Sequence, residues 1–220
     1  MPAESPLRDG SPPALQLIET LRWEPGTGFV RLDRHLARLY ASAHALGFDA
    51  DPEAIGEVLR EAKGERVPLR VRLTLDREGT AKAVTQPFEP LAADRVWTLR
   101  IAATRLDAGD PLLRHKTSRR GAYEAARAEF DRADADEMLL LNQRGELCEG
   151  TITNLFADFG DGVLLTPALA SGLLPGVLRG ELIDHGKARE EVLKPSDLAA
   201  ANALHVGNSL RGLIPARLAP

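Results

Sequence analysis

Four segments of the chain contain side chains that are suited to chemistry. They are residues 34–39, 114–118, 145–156 and 172–179. The second contains Lys116, whose amine can act as a nucleophile or a base, which an arginine cannot do at working pH. The third places the carboxylate of Glu149 beside a hydroxyl-rich turn. The fourth opens a helix whose free N–H groups can bind a phosphate.

Lysine is rare among the basic residues of this chain. Of 28 basic residues only five are lysines, at positions 63, 82, 116, 187 and 194, and the others are arginine. Because either residue type serves on a solvated surface, a lysine here points slightly towards a position that needs an amine. Taken alone, however, a lysine in a basic run such as residues 114–118 is more often a surface residue than a nucleophile.

The composition is that of a folded globular protein. Hydrophobic residues make up 44% of the 220 residues and charged residues 27%, with a formal net charge of −4. This acidic balance argues against general binding of nucleic acid. With one cysteine, Cys148, no internal disulfide forms, so we expect a cytoplasmic protein. No apolar run is long enough to cross a bilayer, and the scattered histidines predict no metal site.

The hydrophobic pattern predicts an α+β protein. The expected strands are residues 15–23, 29–32, 67–75, 81–86, 96–104, 138–142, 146–149, 154–159, 163–166, 191–193, 203–207 and 213–217. The expected helices are residues 33–46, 52–63, 118–132 and 176–185, the first capped by Asp33 and ended by Gly47. We expect residues 96–104 to continue the sheet that the earlier strands form.

These elements divide into two small α/β domains joined by a short linker. Residues 1–13 are expected to be a flexible tail, and residues 14–105 a small N-terminal domain. Residues 106–112 are the expected linker because they hold an Asp-Pro break without periodicity. Residues 113–220 are expected to form a larger, β-rich domain that contains the catalytic lysine.

The chemistry-bearing segments resemble those of the class IV, or fold-type IV, pyridoxal-phosphate (PLP) enzymes. The resemblance covers roughly residues 14–217, and its strongest parts are ETLRW, HLARLYASA, the isolated Lys116, ELCEGTITNLF, LLTP…GLLPGVLRGELI and GNSLRGLIPA. The last part is most similar to 4-amino-4-deoxychorismate lyase and to the lyase-like domain of aminodeoxychorismate synthase. The family implies a D-amino-acid aminotransferase-like fold, a small-molecule substrate and a homodimer.

The resemblance also implies roles for ten residues. Lys116 would carry PLP as a Schiff base and then act as acid and base, and Glu149 would pair with the pyridine nitrogen. The phosphate would be held by Arg38, by the N–H groups of Val177 and Leu178, and by the hydroxyls of Thr153 and Ser209. The substrate would contact Arg22, Asn208 and Arg211. Tyr123 is expected in the core.

The chain departs from the family pattern in two places. Relatives usually begin with two further strands and a loop, whereas the match here starts almost directly at Glu19, so the expected fold is N-terminally shortened. Residues 176–179 read Gly-Val-Leu-Arg where many aminotransferases have Gly-Ile-Thr-Arg. One hydroxyl that would bind the phosphate is therefore lost, and the backbone N–H remains.

Three functions stay open at this point. The first is 4-amino-4-deoxychorismate lyase, which releases pyruvate and 4-aminobenzoate, a folate precursor. The second is a class IV aminotransferase for branched-chain or D-amino acids. The third is a non-catalytic domain related to a synthase–lyase fusion. The missing strands motivate the third reading, and the presence of Lys116, Glu149 and Arg38 argues against it.

Overall fold

Two β-sheets organise the protein, which we describe from a computed structural model covering residues 14–131 and 133–219. The predicted tail, residues 1–13, lies outside the described residues. The strands of the first sheet are β1 (Leu17–Glu24), β2 (Gly28–Phe29), β3 (Leu69–Leu75) and β4 (Ala81–Pro87). They pair antiparallel in the order β2–β1–β3–β4.

Two helices, α1 (Leu32–Leu46) and α2 (Pro52–Glu61), pack their apolar sides into the core of the first sheet. The expected start of α1 is wrong: Asp33 lies in its first turn, and the chain enters the helix through Arg31, which has a left-handed backbone (φ 59°). The expected strand 29–32 accordingly stops at Phe29. Gly47 ends α1 in a left-handed conformation (φ 69°), as predicted.

The second sheet contains eight strands. They are β5 (Trp97–Leu106), β6 (Glu137–Asn142), β7 (Leu147–Gly150), β8 (Asn154–Asp158), β9 (Leu164–Pro167), β10 (Ala188–Glu191), β11 (Ala203–Asn208) and β12 (Gly212–Leu218). Their order is β10–β9–β8–β11–β12–β5–β6–β7. Strands β10 and β9, β12 and β5, and β5 and β6 pair parallel, and the others antiparallel.

The expectation that residues 96–104 continue the first sheet is wrong. That segment forms β5, which pairs with β6 and β12 in the second sheet. Leu99 and Ala102 of β5 are buried in the two cores on either side of this sheet, whereas β4 remains a largely exposed edge. The chain therefore passes from one sheet to the other between Pro87 and Trp97, ahead of the expected linker.

Shorter elements differ from the sequence expectation for local reasons. Helix α3 spans Gly121–Ala128 rather than residues 118–132, because Thr117 bridges to Leu17 of β1. The other helices are α4 (Val177–Asp184) and a short α5 (Pro195–Leu198) that was not predicted. The strand expected at 191–193 lies earlier in the chain, as β10, and α5 follows it. The expected linker runs into a 3₁₀ turn at Pro111–Arg114. None of the described helices combines the length and apolar character needed to cross a membrane.

Candidate active site

A cavity of about 610 Å³ lies where the two sheets meet. This volume is in the usual range for sites that bind small molecules. Eight of the ten residues predicted for the site line it: Arg38, Lys116, Glu149, Thr153, Val177, Asn208, Ser209 and Arg211. Residues far apart in sequence, from both sheets and the helix starts, thus line one cavity.

Lys116 is held at the joint between the sheets by its backbone. Its carbonyl accepts a 2.8 Å hydrogen bond from the amide of Ile18, and the amide of Ser118 donates to the carbonyl of Gln16 at 2.9 Å. Burial by the cavity walls, with the positive charge of Arg38, lowers the pKa of Lys116 from 10.5 to about 8. A useful fraction of the amine is therefore neutral near physiological pH, as a nucleophile or base requires.

Glu149 is a buried carboxylate that lines the same cavity. Its Oε1 accepts hydrogen bonds from the hydroxyl of Tyr123 at 2.7 Å and from the amide of Leu174 at 3.0 Å. Burial raises the pKa of Glu149 to about 7, although these donors and the charge of Lys116 favour the ionised form. A protonated heterocyclic nitrogen beside this carboxylate would complete its charge balance.

Tyr123, expected in the core, also lines the cavity and is the hydrogen-bond donor to Glu149. It faces the site because α3 begins at Gly121, so Tyr123 lies in the first turn of that helix. Its ring also packs against one of the two cores of the second sheet, so the core expectation holds for the ring and leaves out the role of the hydroxyl.

Arg38 forms a two-pronged ion pair with Glu19. Its Nε and Nη2 donate to the two carboxylate oxygens at 2.8 and 2.6 Å, and its Nη1 donates to the carbonyl of Pro175 at 3.2 Å. Burial opposes ionisation of Glu19, but the charge of Arg38 and hydrogen bonds from Arg38 and His35 outweigh it and hold the pKa at about 2. The guanidinium has five N–H groups, so this pairing fixes its orientation and leaves donors for an anion in the cavity.

The start of α4 meets the same end of the cavity. Gly176 precedes the helix, and the amides of its first turn, beginning with Val177, are donors that such a helix end leaves for an anion. A Cβ on Gly176 would lie 1.8 Å from Oδ1 of Asn154, so only glycine fits this close approach. The side chain of Leu178 does not line the cavity and packs near Gly207 instead, so only its amide could serve there.

Two hydroxyls predicted to contact phosphate have different surroundings. Ser209 lines the cavity and its Oγ lies 2.7 Å from Nε2 of His35. Thr153 also lines the cavity, but its Oγ1 donates at 2.9 Å to Glu137, which lies beneath the turn. The hydroxyl proton of Thr153 is therefore engaged by a protein carboxylate.

Arginines form one wall of the cavity, which we call the arginine wall: Arg70, Arg72, Arg120 and Arg211. Arg70 and Arg72 alternate with the buried residues of β3 and so face away from the first core. Among the described residues, no carboxylate lies within ion-pair distance of any of the four. Arg120 donates to the carbonyl of Thr151 at 2.7 Å, and Arg211 lies over the ring of Trp97.

The arginines of this wall repel one another. Burial, together with the charges of Arg70 and Arg120, lowers the pKa of Arg72. Burial and the charge of Arg70 lower the pKa of Arg211, with Glu137 opposing. The wall is therefore suited to an anionic ligand, which would relieve this repulsion.

The predicted substrate contact at Arg22 is not in this cavity. Arg22 lies on the same face of β1 as Thr20, but two residues further along the strand, beyond the cavity. It pairs with Glu24 at 2.9 Å and donates to the carbonyl of Leu210 at 3.3 Å. Asn208, which does line the cavity, accepts from the amide of Arg211 at 2.9 Å and so shapes that turn.

Sequence reasoning assigned no role to several residues that build the site. They are Glu19, His35, Arg70, Arg72, Arg120, Glu137 and Asn154. One signal was available for Glu19: it occupies the apolar face of β1, between Leu17 and Leu21, where an unpaired charge is costly. Arg70 and Arg72 gave no such signal, because arginines that alternate along a strand are usual on a solvated face.

The sequence matches the family model for amino-transferase class IV over residues 16–219. The chain belongs to the class IV aminotransferase family. Enzymes of this family and aminodeoxychorismate lyases depend on PLP, so this class IV protein is an enzyme whose cofactor is PLP. The fold-type IV architecture expected from the sequence is confirmed.

Relatives of this class IV protein carry two kinds of name. A crystal structure from Mesorhizobium loti, named as an amino-acid aminotransferase, is 63% identical with a TM-score of 0.92 and covers 93% of this chain and 100% of its own. A Schizosaccharomyces pombe protein named as an aminodeoxychorismate lyase is 30% identical over 186 residues, 82% of this chain and 80% of its own. A Methanocaldococcus jannaschii protein named as a branched-chain-amino-acid aminotransferase is 26% identical over 224 residues, 90% of this chain and 76% of its own.

The residues of the cavity fit PLP. The aldehyde of PLP would need an amine, here half-buried. The pyridine would need a carboxylate that can pair with its ring nitrogen, and the phosphate would need an arginine beside a helix start. They are supplied by Lys116, Glu149 and Arg38 with α4, respectively.

Proposed function

We propose that the protein is a 4-amino-4-deoxychorismate lyase. The observation that carries the proposal is the arginine wall, four cations in one cavity with no carboxylate at ion-pair distance among the described residues. Aminodeoxychorismate carries two carboxylates, which such a wall would bind with charge-assisted hydrogen bonds. A pocket for branched-chain side chains would instead favour an apolar lining.

The residues of this chain supply positioning and proton transfer in the proposed reaction. PLP, when bound, supplies an electron sink at the carbon that carries the substrate's amine. Arg72 and its neighbours orient the carboxylates, and Lys116 takes the proton from that carbon. The enolpyruvyl C–O bond then breaks, the ring becomes aromatic, and a proton returned to the leaving enol gives pyruvate. The two products, 4-aminobenzoate and pyruvate, together contain all the atoms of the substrate, so the reaction needs no outside oxidant or reductant.

Glu149 and Arg38 would hold the cofactor during these steps. The carboxylate of Glu149 would favour the protonated pyridine, which strengthens the electron sink. Arg38, fixed by Glu19, and the amides that begin α4 would bind the phosphate. The proposal keeps the roles predicted for the other site residues except Arg22, which lies outside the cavity, and Thr153, whose hydroxyl donates to Glu137.

The alternative is an amino-acid aminotransferase, favoured by the name of the 63% identical Mesorhizobium loti structure. The arginine wall would then bind a dicarboxylic amino acid such as glutamate. In that reaction the proton taken by Lys116 is returned to the cofactor, and a 2-oxo acid is released instead of an aromatic product.

The experiment that separates the two activities offers the PLP-loaded protein aminodeoxychorismate in one set of assays and glutamate, branched-chain or D-amino acids in another. Equimolar 4-aminobenzoate and pyruvate support the lyase. Conversion of the cofactor to pyridoxamine phosphate, with release of a 2-oxo acid, overturns it in favour of the aminotransferase. Arg72→Gln should lower kcat/KM for aminodeoxychorismate at least tenfold, whereas Arg60→Gln, on the exposed surface of α2, should not.

We further propose that the enzyme is a cytoplasmic homodimer that acts on a small molecule. Cys148 is buried and free, which suits a reducing compartment. Ile152 is 48% exposed beside the cavity, as expected for an apolar residue that a second copy covers. Sedimentation velocity tests the dimer, and Ile152→Asp should shift it towards the monomer.

A further inference from the structure

A buried hydrogen-bonded chain of three side chains reaches the cavity, and we call it the Ser209 relay. Ser209 Oγ lies 2.7 Å from Nε2 of His35, and Nδ1 of His35 lies 2.6 Å from Oε2 of Glu19. His35 and Glu19 are each 1% exposed; Ser209 and His35 line the cavity, and Glu19 lies behind them. The relay therefore connects a group in the site to a carboxylate that solvent does not reach.

The position of one proton in the relay is fixed. Glu19 is ionised, because Arg38 and His35 hold its pKa at about 2, and a carboxylate can only accept hydrogen bonds. Nδ1 of His35 must then carry the proton that it shares with Glu19. Nε2 is then the ring nitrogen of His35 that can be either the acceptor or the donor in the contact with Ser209.

The direction of the bond between His35 and Ser209 follows from the state of Nε2. When His35 is neutral, Nε2 accepts, so the hydroxyl proton of Ser209 points at the imidazole. When His35 is protonated, Nε2–H donates to Oγ, and the hydroxyl proton is released towards the cavity. The same serine thus presents lone pairs to a ligand in one state and a donor in the other.

The charged groups around the relay limit what else can titrate there. Arg38 of α1 pairs with Glu19. Arg31, which immediately precedes α1, donates to the carbonyl of Ser209 at 3.3 Å and pairs with Glu181 of α4 at 2.7 Å. Lys116, from the segment beside β1, is the other group facing Glu19 whose charge changes near neutrality.

We propose that His35 is a positioning residue that sets the direction of the Ser209 hydroxyl, so that binding a phosphate dianion at Ser209 adds one proton to the relay. A phosphate monoester is a dianion above about pH 7, since its second pKa is about 6, and it can only accept. It therefore needs the donor form of Ser209, which requires protonated His35. The inference rests on the placement of the PLP phosphate beside Arg38 and α4, and not on whether the enzyme is a lyase or an aminotransferase.

The test compares binding of PLP with binding of pyridoxal, which has the same ring and aldehyde but no phosphate. Dissociation constants for both are measured between pH 7.5 and 9 by visible absorbance. Titration of Lys116 and Glu149 affects both ligands and cancels in the ratio of the two constants. In the wild type the advantage of PLP over pyridoxal should fall with rising pH, by up to tenfold per pH unit for one linked proton.

Two variants and one control isolate the relay. Ser209→Ala and His35→Gln should each make the ratio independent of pH, with native-like circular dichroism showing that both fold. Ser42→Ala removes a different buried serine, one that hydrogen-bonds His115 at 2.9 Å, and should keep the wild-type slope. A flat ratio in the wild type, or an unchanged slope in Ser209→Ala, overturns the relay. Failure of both aldehydes to give a bound band overturns the cofactor site as well, so the two failures are distinguishable.

Discussion

The hydroxyl of Tyr123 donates a 2.7 Å hydrogen bond to Oε1 of Glu149, the same oxygen that accepts from the amide of Leu174. Among the described residues, the one hydrogen bond to the second oxygen, Oε2, is a 3.5 Å contact from Nδ2 of Asn154. Both strong donors therefore act on one oxygen and leave the other available. This asymmetry orients Glu149 for a single additional proton donor in the cavity.

Tyr123→Phe should weaken PLP binding by about tenfold near pH 7.5, since a hydrogen bond to a charged group is worth about 1.5–3 kcal/mol. Loss of the hydroxyl removes an interaction that lowers the pKa of Glu149, so its ionisation shifts above about pH 7. The midpoint of PLP affinity against pH should move upward accordingly. Tyr40→Phe, which packs against the first core, is the control and should leave the profile unchanged. An unshifted midpoint in Tyr123→Phe would contradict this role.

Lys116 should react with aldehydes at a lower pH than an ordinary lysine. Because its pKa is lowered to about 8, the neutral, reactive fraction grows as the pH rises through 8 rather than through 10.5. The rate at which excess pyridoxal produces the visible band should follow this curve. Lys116→Arg should give no band at any pH. A midpoint near 10.5 in the wild type would show that burial does not act on this amine.

Part of the site was predictable because its residues lie in short local motifs. Lys116, Glu149 and Arg38 each stand within a run of residues that resembles one family, and all three line the cavity. Alternation along residues 67–75 predicted β3 for the same reason, since it depends on local contacts with one core. Such features need no knowledge of which strands pair.

Other features depend on contacts between distant parts of the chain. In the second sheet β5 pairs with β12 and β6. No local sequence pattern distinguishes this arrangement from a pairing of β5 with β4. Because the second sheet packs near the first, Arg72 of β3 lies in a cavity wall, although its place in the sequence suggests an exposed surface residue. His35 likewise gains its role only because Ser209, 174 residues further along the chain, lies against it.

Gly176→Ala should disrupt the start of α4 rather than merely stiffen the chain. The backbone of Gly176 has φ −64°, which any residue adopts, but the added Cβ would lie 1.8 Å from Oδ1 of Asn154. We expect at least a tenfold loss of PLP affinity, measured by equilibrium titration. Gly56→Ala is the matched control, because its Cβ would meet only the flexible end of Arg60 at 3.5 Å. That change, inside α2, should raise stability by up to about 1 kcal/mol. Equal PLP affinity in the two variants would argue against the close approach at α4.

Glu137 should contribute more to stability than an ordinary carboxylate, because it organises the turn between β7 and β8. It is fully buried and accepts hydrogen bonds from five donors, namely the amides of Met138, Thr151 and Ile152 and the hydroxyls of Thr151 and Thr153. Glu137→Ala leaves these groups without their acceptor, so the free energy of unfolding should fall by about 3 kcal/mol or more. Urea unfolding of the protein without PLP measures this, and Glu65→Ala, at an exposed position, should change it by less than about 0.5 kcal/mol. A loss as small as that of the control would mean that solvent replaces the carboxylate in the turn.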